Sequence, residues 1–139
     1  MKRHALKALV MLVGVAGLLG FDSLRASSQL CAAAAARPDT QSFAEDILPL
    51  LQWRCAGCHQ PGGEGYEKSG LDVTSYEGVM KGTKFGPMVI PRDPDSSNLM
   101  WLLDWRASPK LRMPHTKKQL SRCDRDSIRT WIREGAKNN

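Results

Sequence analysis

The sequence predicts an all-α domain of about one hundred residues, built from short helices joined by Gly- and Pro-rich loops. Apolar residues recur at helical spacing in one segment near residue 45 and another near residue 130, each opened by a capping pattern. Between these segments Gly and Pro punctuate the chain every few residues. No stretch alternates apolar and polar residues as a half-buried strand would, and no strand–helix alternation is present.

The elements follow in order. Ser42-Phe43-Ala44-Glu45 has the capping-box form, and Phe43, Ile47, Leu48, Leu50 and Leu51 continue as an apolar face. Pro49 either kinks this helix or falls in its first turn behind a cap at Asp46, where its missing N–H costs little. A Gly-rich loop is expected from Gln60 to Gly70. A short helix capped by Ser75 runs over Tyr76 to Lys81 and stops at Gly82. Gly86 to Pro91 is extended, and Ser96 or Ser97 caps a helix through Leu99, Leu102 and Leu103 toward Arg106. Pro109 and Pro114 bracket a loop. Ser121 with Asp124 opens the last helix, whose stripe is Ile128, Trp131 and Ile132 and whose end is Gly135.

The first of these helices leads into Cys55-Ala56-Gly57-Cys58-His59, a C-x-x-C-H pentapeptide. Two thiols at i and i+3 lie on one side of a turn, where each can add to a haem vinyl group, and the adjoining His is carried beneath the ring as proximal iron ligand. A thioredoxin-like pair would require a βαβ context, and a zinc site would require a second ligand pair, whereas Cys31, Cys123, His4 and His115 are scattered. The motif therefore predicts one covalent haem c held by Cys55, Cys58 and His59.

The N-terminus predicts export. Met1 to Lys7 is basic, and Ala8 to Phe21 is a near-continuous apolar run, short for a membrane span but of the length of a secretory leader. We expect residues 1–36 to be a signal peptide, cut after Ala26-Ser27-Ser28 or within Ala32 to Ala36, with 37–139 as a mono-haem domain in the periplasm. An uncleaved leader would instead anchor the protein to the membrane. Leu30 before Cys31 argues against a lipoprotein signal. Cys31 is expected to leave with the leader, so Cys123 is expected as an odd thiol in a half-buried helix. A core of this size is marginal without a staple, and a buried porphyrin supplies apolar contact surface.

The net charge of +6 overstates the basic character of the domain, because the leader contributes to it. From Arg37 onward 16 Lys and Arg face 13 Asp and Glu, leaving +3. There is no basic stripe interleaved with aromatics, which argues against nucleic acid as a partner.

An electron carrier closes the sixth position of its iron with Met or His. Met80 and Met100 lie in helical stretches and read as apolar filler. Met113 stands in a loop with Pro114 stiffening the backbone beside it, and is the expected distal ligand, with Met88 and His115 as alternatives. The four Trp (Trp53, Trp101, Trp105, Trp131) are expected mostly as core or haem-pocket walls.

The ordered set resembles the class I cytochrome c family, most closely the cytochrome c domains common in planctomycete and related bacterial proteins. The stretches that carry the resemblance begin with Asp46 to Leu51, Cys55 to His59, Ser69 to Asp72 and Ser75 to Glu77. They continue through Gly86-Pro87, Val89 to Pro91, Asp93-Pro94 and Ser97 to Leu99 to Met113-Pro114 and Trp131 to Ala136. The resemblance implies a small class I cytochrome c fold wrapped around one covalent haem. The first and last helices would cross there, Phe43 or Ile47 meeting Trp131, and His59 and Met113 would be the axial ligands. The chain departs from the family in having His115 where a second Pro is common, which leaves a bis-His pair as the alternative. Arg125 also stands where the family usually carries an apolar residue.

The expected function is that of an exported electron carrier rather than an enzyme. The expected partners are an oxidase or a periplasmic dehydrogenase, docking at a basic rim of Lys110, Arg112, Lys117, Lys118, Arg122 and Arg125. The rival readings are a peroxidase-like enzyme or sensor with an open sixth position, and a haem subunit of a larger complex.

Overall fold

In the first helix Ser42 caps as its sequence predicts, but the reciprocal bond comes from a different carboxylate. Its Oγ accepts from the Glu45 N–H at 3.1 Å, while its own N–H donates to Asp46 Oδ2 at 2.9 Å. The computed structural model describes residues 41–139; the leader and Cys31 lie outside the described residues. Phe43–Ile47 form a wide π-helical turn that passes into α1, Leu48–Arg54, with Pro49 in its first turn. The Ile47 N–H reaches Ser42 O at 3.2 Å and the Leu48 N–H reaches Phe43 O, both i to i−5. Proline removes one N–H and crowds the carbonyl four residues back, and widening the turn accommodates both. Pro49 thus neither breaks the helix nor requires Asp46 as its cap.

Among the described residues the regular structure is the π-helical turn, five α-helices and one 3₁₀ turn, with no strand. After α1 come α2 (Glu64–Ser69), α3 (Tyr76–Lys81), α4 (Asn98–Leu103), the 3₁₀ turn Pro109–Leu111, and α5 (Arg122–Arg133). The fold is therefore all-α, as expected. α3 matches its predicted span, capped by Ser75 Oγ on the Gly78 N–H. α5 carries the complete capping box between Ser121 and Asp124.

Three expectations about the helices change. The segment expected as loop contains α2, which lacks an apolar face and is held by a Glu64–Lys68 pair one turn apart and a left-handed Gly70. α4 ends at Leu103 rather than Arg106, because Trp105 takes a left-handed conformation with φ of 59°. Ser97 precedes α4 without capping it. Its fully buried hydroxyl instead donates to Asp93 O and accepts from the Ile90 N–H, closing that loop on itself.

The core joins the first and last helices. Phe43, Ile47 and Leu51 are buried with Ile128, Trp131 and Ile132, and Met100, Leu103 and Leu120 complete the set. The Phe43 ring lies 5.4 Å from Trp131 and packs edge-on against Tyr76 at 5.2 Å, the crossing expected from the resemblance. Polar bonds seal the same end. The Ser42 hydroxyl, the Phe43 N–H and the Ala44 N–H all donate to Asn139, and the Tyr76 hydroxyl and the Trp131 indole donate to the carbonyls of Ala136 and Lys137. Trp131 is 1% exposed. Trp131→Ala should therefore lower stability by about 3–5 kcal/mol, the cost of a large aromatic cavity, seen as a shift of the denaturant midpoint of the haem-loaded protein.

The other indoles do not fill the core. Trp53 is 76% exposed, and Trp101 is exposed beneath the Arg106 guanidinium. Cys123 is not the expected odd thiol, since it is disulfide-bonded. Among the described cysteines only Cys55 and Cys58 are free.

Candidate haem-attachment site

The end of α1 unwinds into the pentapeptide. Cys55 and Ala56 N–H groups donate to Leu51 O, and the Cys55 carbonyl then accepts from both Cys58 and His59 N–H groups at 3.0 and 2.9 Å. This compact turn brings Cys55, Cys58 and His59 together through one shared carbonyl. His59 is pinned at both ends, its N–H on Cys55 O and its carbonyl accepting from Val73 at 2.9 Å, while the Cys58 carbonyl accepts from Tyr66.

Two glycines permit this packing, and their roles were not legible in the sequence. A Cβ on Gly65 would lie 2.8 Å from His59 Cε1 and 3.0 Å from Cys58 O, and one on Gly63 would collide with the Cys58 carbonyl. The start of α2 thus rests directly against the imidazole edge and the motif backbone. Gly57, inside the motif, has nothing within 4 Å of such a Cβ. Gly65→Ala should tilt the His59 ring and destabilise the haem-loaded protein by about 1–3 kcal/mol, with Gly57→Ala near neutral; thermal melts of the two proteins compare them directly.

The chemistry of the donor set fits a haem. Burial holds His59 below its ordinary pKa, against an opposing hydrogen-bonding influence from the Leu71 backbone. The imidazole is thus neutral near pH 7, the form that ligates metal. Its Nδ1 is buried with no completed hydrogen bond, the sole such side-chain atom among the described residues. The Leu71 backbone carbonyl is the group whose influence opposes burial at this ring. A metal-ligating His gives its second ring N–H to such a carbonyl. Burial also pushes the Cys55 thiol up to about 11, against the lowering pull of Arg54 and Lys117.

The loop after the 3₁₀ turn returns to this motif. Arg54 donates to the Lys118 carbonyl at 3.0 Å, and Lys117 lies within electrostatic reach of Cys55. On α2, Lys68 holds the Glu64 carboxyl below its usual range, with a smaller pull from His115. Met113 is partly buried against the core and His115 is exposed. Met88 is 6% exposed and Met100 fully buried, both committed to the core.

Of the basic residues expected to form a rim, Lys110, Lys117 and Lys118 are exposed. Arg112 lies over the Trp105 ring and Arg122 pairs with Asp126. Arg125 turns inward instead, bound to the Asp104 carboxylate at 3.2 Å beside Arg129. That ion pair is why a charged residue is tolerated where an apolar one was expected.

The described residues thus present, in an all-α domain, two free cysteines three residues apart followed by a pinned histidine, the donor set that a covalent haem requires. The family model for planctomycete cytochrome C matches residues 55–116, and over these residues the chain is similar to that family. The match covers the motif and the Met113 loop, while the helices that cross outside it are established by the fold. No curated protein and no solved structure matches the chain. A cytochrome c domain implies covalently held haem c and electron transfer rather than catalysis.

Proposed function

We propose that this chain is an exported, single-haem c-type cytochrome that carries single electrons between periplasmic or membrane redox proteins. The observation that carries the reading is the return of the chain beyond Met113 to the end of α1, beside the C-x-x-C-H turn, where Arg54 donates to the Lys118 carbonyl. Cys55 and Cys58 would hold the haem through thioethers. His59 would ligate the iron from one side and Met113 from the other, in a class I cytochrome arrangement of short helices around one haem. Of the alternatives, Met88 is withdrawn into the core, and His115 stands two residues from Met113. When bound, the haem iron supplies reversible one-electron oxidation and reduction. Cys55, Cys58, His59 and Met113 would together hold the group in place, and Met ligation would favour a higher potential.

The apolar run of residues 8–21 supports export. No described helix is long and apolar enough to cross a membrane. The mass of the secreted protein tests haem content and leader removal together: the expected value is one haem on a chain cut after Ala26-Ser27-Ser28, the cut that retains Cys31, since Cys123 is disulfide-bonded while Cys55 and Cys58 are free. The ferric spectrum should show a sulfur-to-iron charge-transfer band. A high-spin spectrum with rapid cyanide binding would point to an enzyme or sensor instead.

Lys110, Lys117 and Lys118, with Arg112, would form the docking rim for an acidic redox partner. Arg125 and Arg122 contribute less, being paired with Asp104 and Asp126. Electron exchange with an acidic partner should slow several-fold as the screening length falls from about 30 Å to about 10 Å. The Lys117→Ala/Lys118→Ala double variant should flatten that salt dependence in stopped-flow measurements, and Arg125→Ala should leave its slope unchanged.

A further inference from the structure

The backbone of Met113 is held at both of its polar groups by the end of α4. Its N–H donates to the Leu102 carbonyl at 3.2 Å, and its carbonyl accepts from the Trp105 indole Nε1 at 2.9 Å. Trp105 can deliver that bond only because it leaves the helix in a left-handed conformation, φ 59°, which turns its ring back toward the following loop. A non-glycine residue with that φ is strained and persists where its surroundings fix it. Here they do. Its own N–H is bonded to Leu102 O, the Arg112 guanidinium sits 5.5 Å above its ring, and Arg112 also donates to Ala107 O. The adjoining Asp104 carboxylate is bound by Arg129 at 2.8 and 3.0 Å and by Arg125 at 3.2 Å, which fastens the end of α4 to α5.

We propose that Trp105 is the positioning residue for Met113: its indole N–H latches the Met113 carbonyl and so sets how readily the Met113 sulfur leaves its place. The inference rests on Met113 being the distal ligand. A sulfur ligand competes with external ligands by staying near the metal, so its escape rate depends on how firmly its backbone is fixed. Lys110, Leu111 and His115 to Lys118 around it are exposed, and the bonds from Leu102 and Trp105 hold the two polar backbone groups of Met113. Trp101 provides the matched comparison, since its indole N–H donates to a backbone carbonyl too, that of Asp95 at 3.1 Å, away from Met113.

Trp105→Phe in the haem-loaded protein keeps a ring under Arg112 and removes only the donor. Cyanide binding to the ferric protein should accelerate about three- to tenfold, the loss of one partly buried hydrogen bond. The pH at which the sulfur-to-iron band disappears should fall, and Trp101→Phe should change neither. A Trp105→Phe protein with native cyanide kinetics and a native pH midpoint overturns the latch, provided Met113→Ala abolishes the band. If Met113→Ala retains the band, the ligand reading itself fails and takes the latch with it. Should Trp105→Phe not fold, hydrogen exchange in the unmutated protein decides. The Trp105 indole N–H should exchange several-fold faster once cyanide has displaced the internal ligand, with Trp131 unaffected, and an unchanged Trp105 rate overturns the proposal.

Discussion

Replacing Cys55 and Cys58 together by serine should leave the purified chain essentially colourless, with any retained haem extractable by acidified organic solvent. The links convert a bimolecular encounter between haem and protein into an intramolecular one, and their loss removes that effective concentration. The same variant should lose most of its cooperative unfolding transition, because a domain of about one hundred residues has little stability to spare. Each single substitution should keep one link and therefore a coloured, less stable protein. Unextractable colour in the double variant would remove the basis of the proposed function.

Met113→Ala should be the second large effect. With the sulfur gone, the ferric protein loses its charge-transfer band and binds cyanide at least about tenfold faster, since no tethered competitor remains. Its reduction potential should fall, as expected on losing thioether ligation. His115→Ala should alter neither the band nor the cyanide rate. If instead the native band is absent and His115→Ala is the variant that opens the iron, the ligand pair is bis-His.

The parts of this fold that could be read from the sequence are those whose causes lie within a few residues. Ser75 and Ser121 cap their helices through contacts three residues away, and the spacing of Cys55, Cys58 and His59 is set by a single turn. α2 escaped notice because apolar periodicity is what marks a helix, and Glu64–Ser69 buries none of its residues. The inward turn of Arg125 was hidden for another reason. It depends on Asp104, 21 positions earlier in the chain, and nothing local distinguishes an arginine that will meet a half-buried carboxylate from one that faces water. The site divides the same way. Its covalent motif is local, whereas the close approach of Gly65 to His59 and the hold of Trp105 on Met113 exist only once separate segments have packed.

The contact between Phe43 and Trp131 also carries a consequence for biogenesis. A polypeptide made from its amino end presents Cys55, Cys58 and His59 long before Trp131 exists, so during synthesis the opening helix lacks the second of its two aromatic neighbours. On the proposed function, the attachment turn would then be accessible to a maturation apparatus as pliable chain. Closure by the carboxyl-terminal segment, with Asn139 gripping Ser42 and Phe43, comes afterwards and locks in whatever chemistry has already taken place.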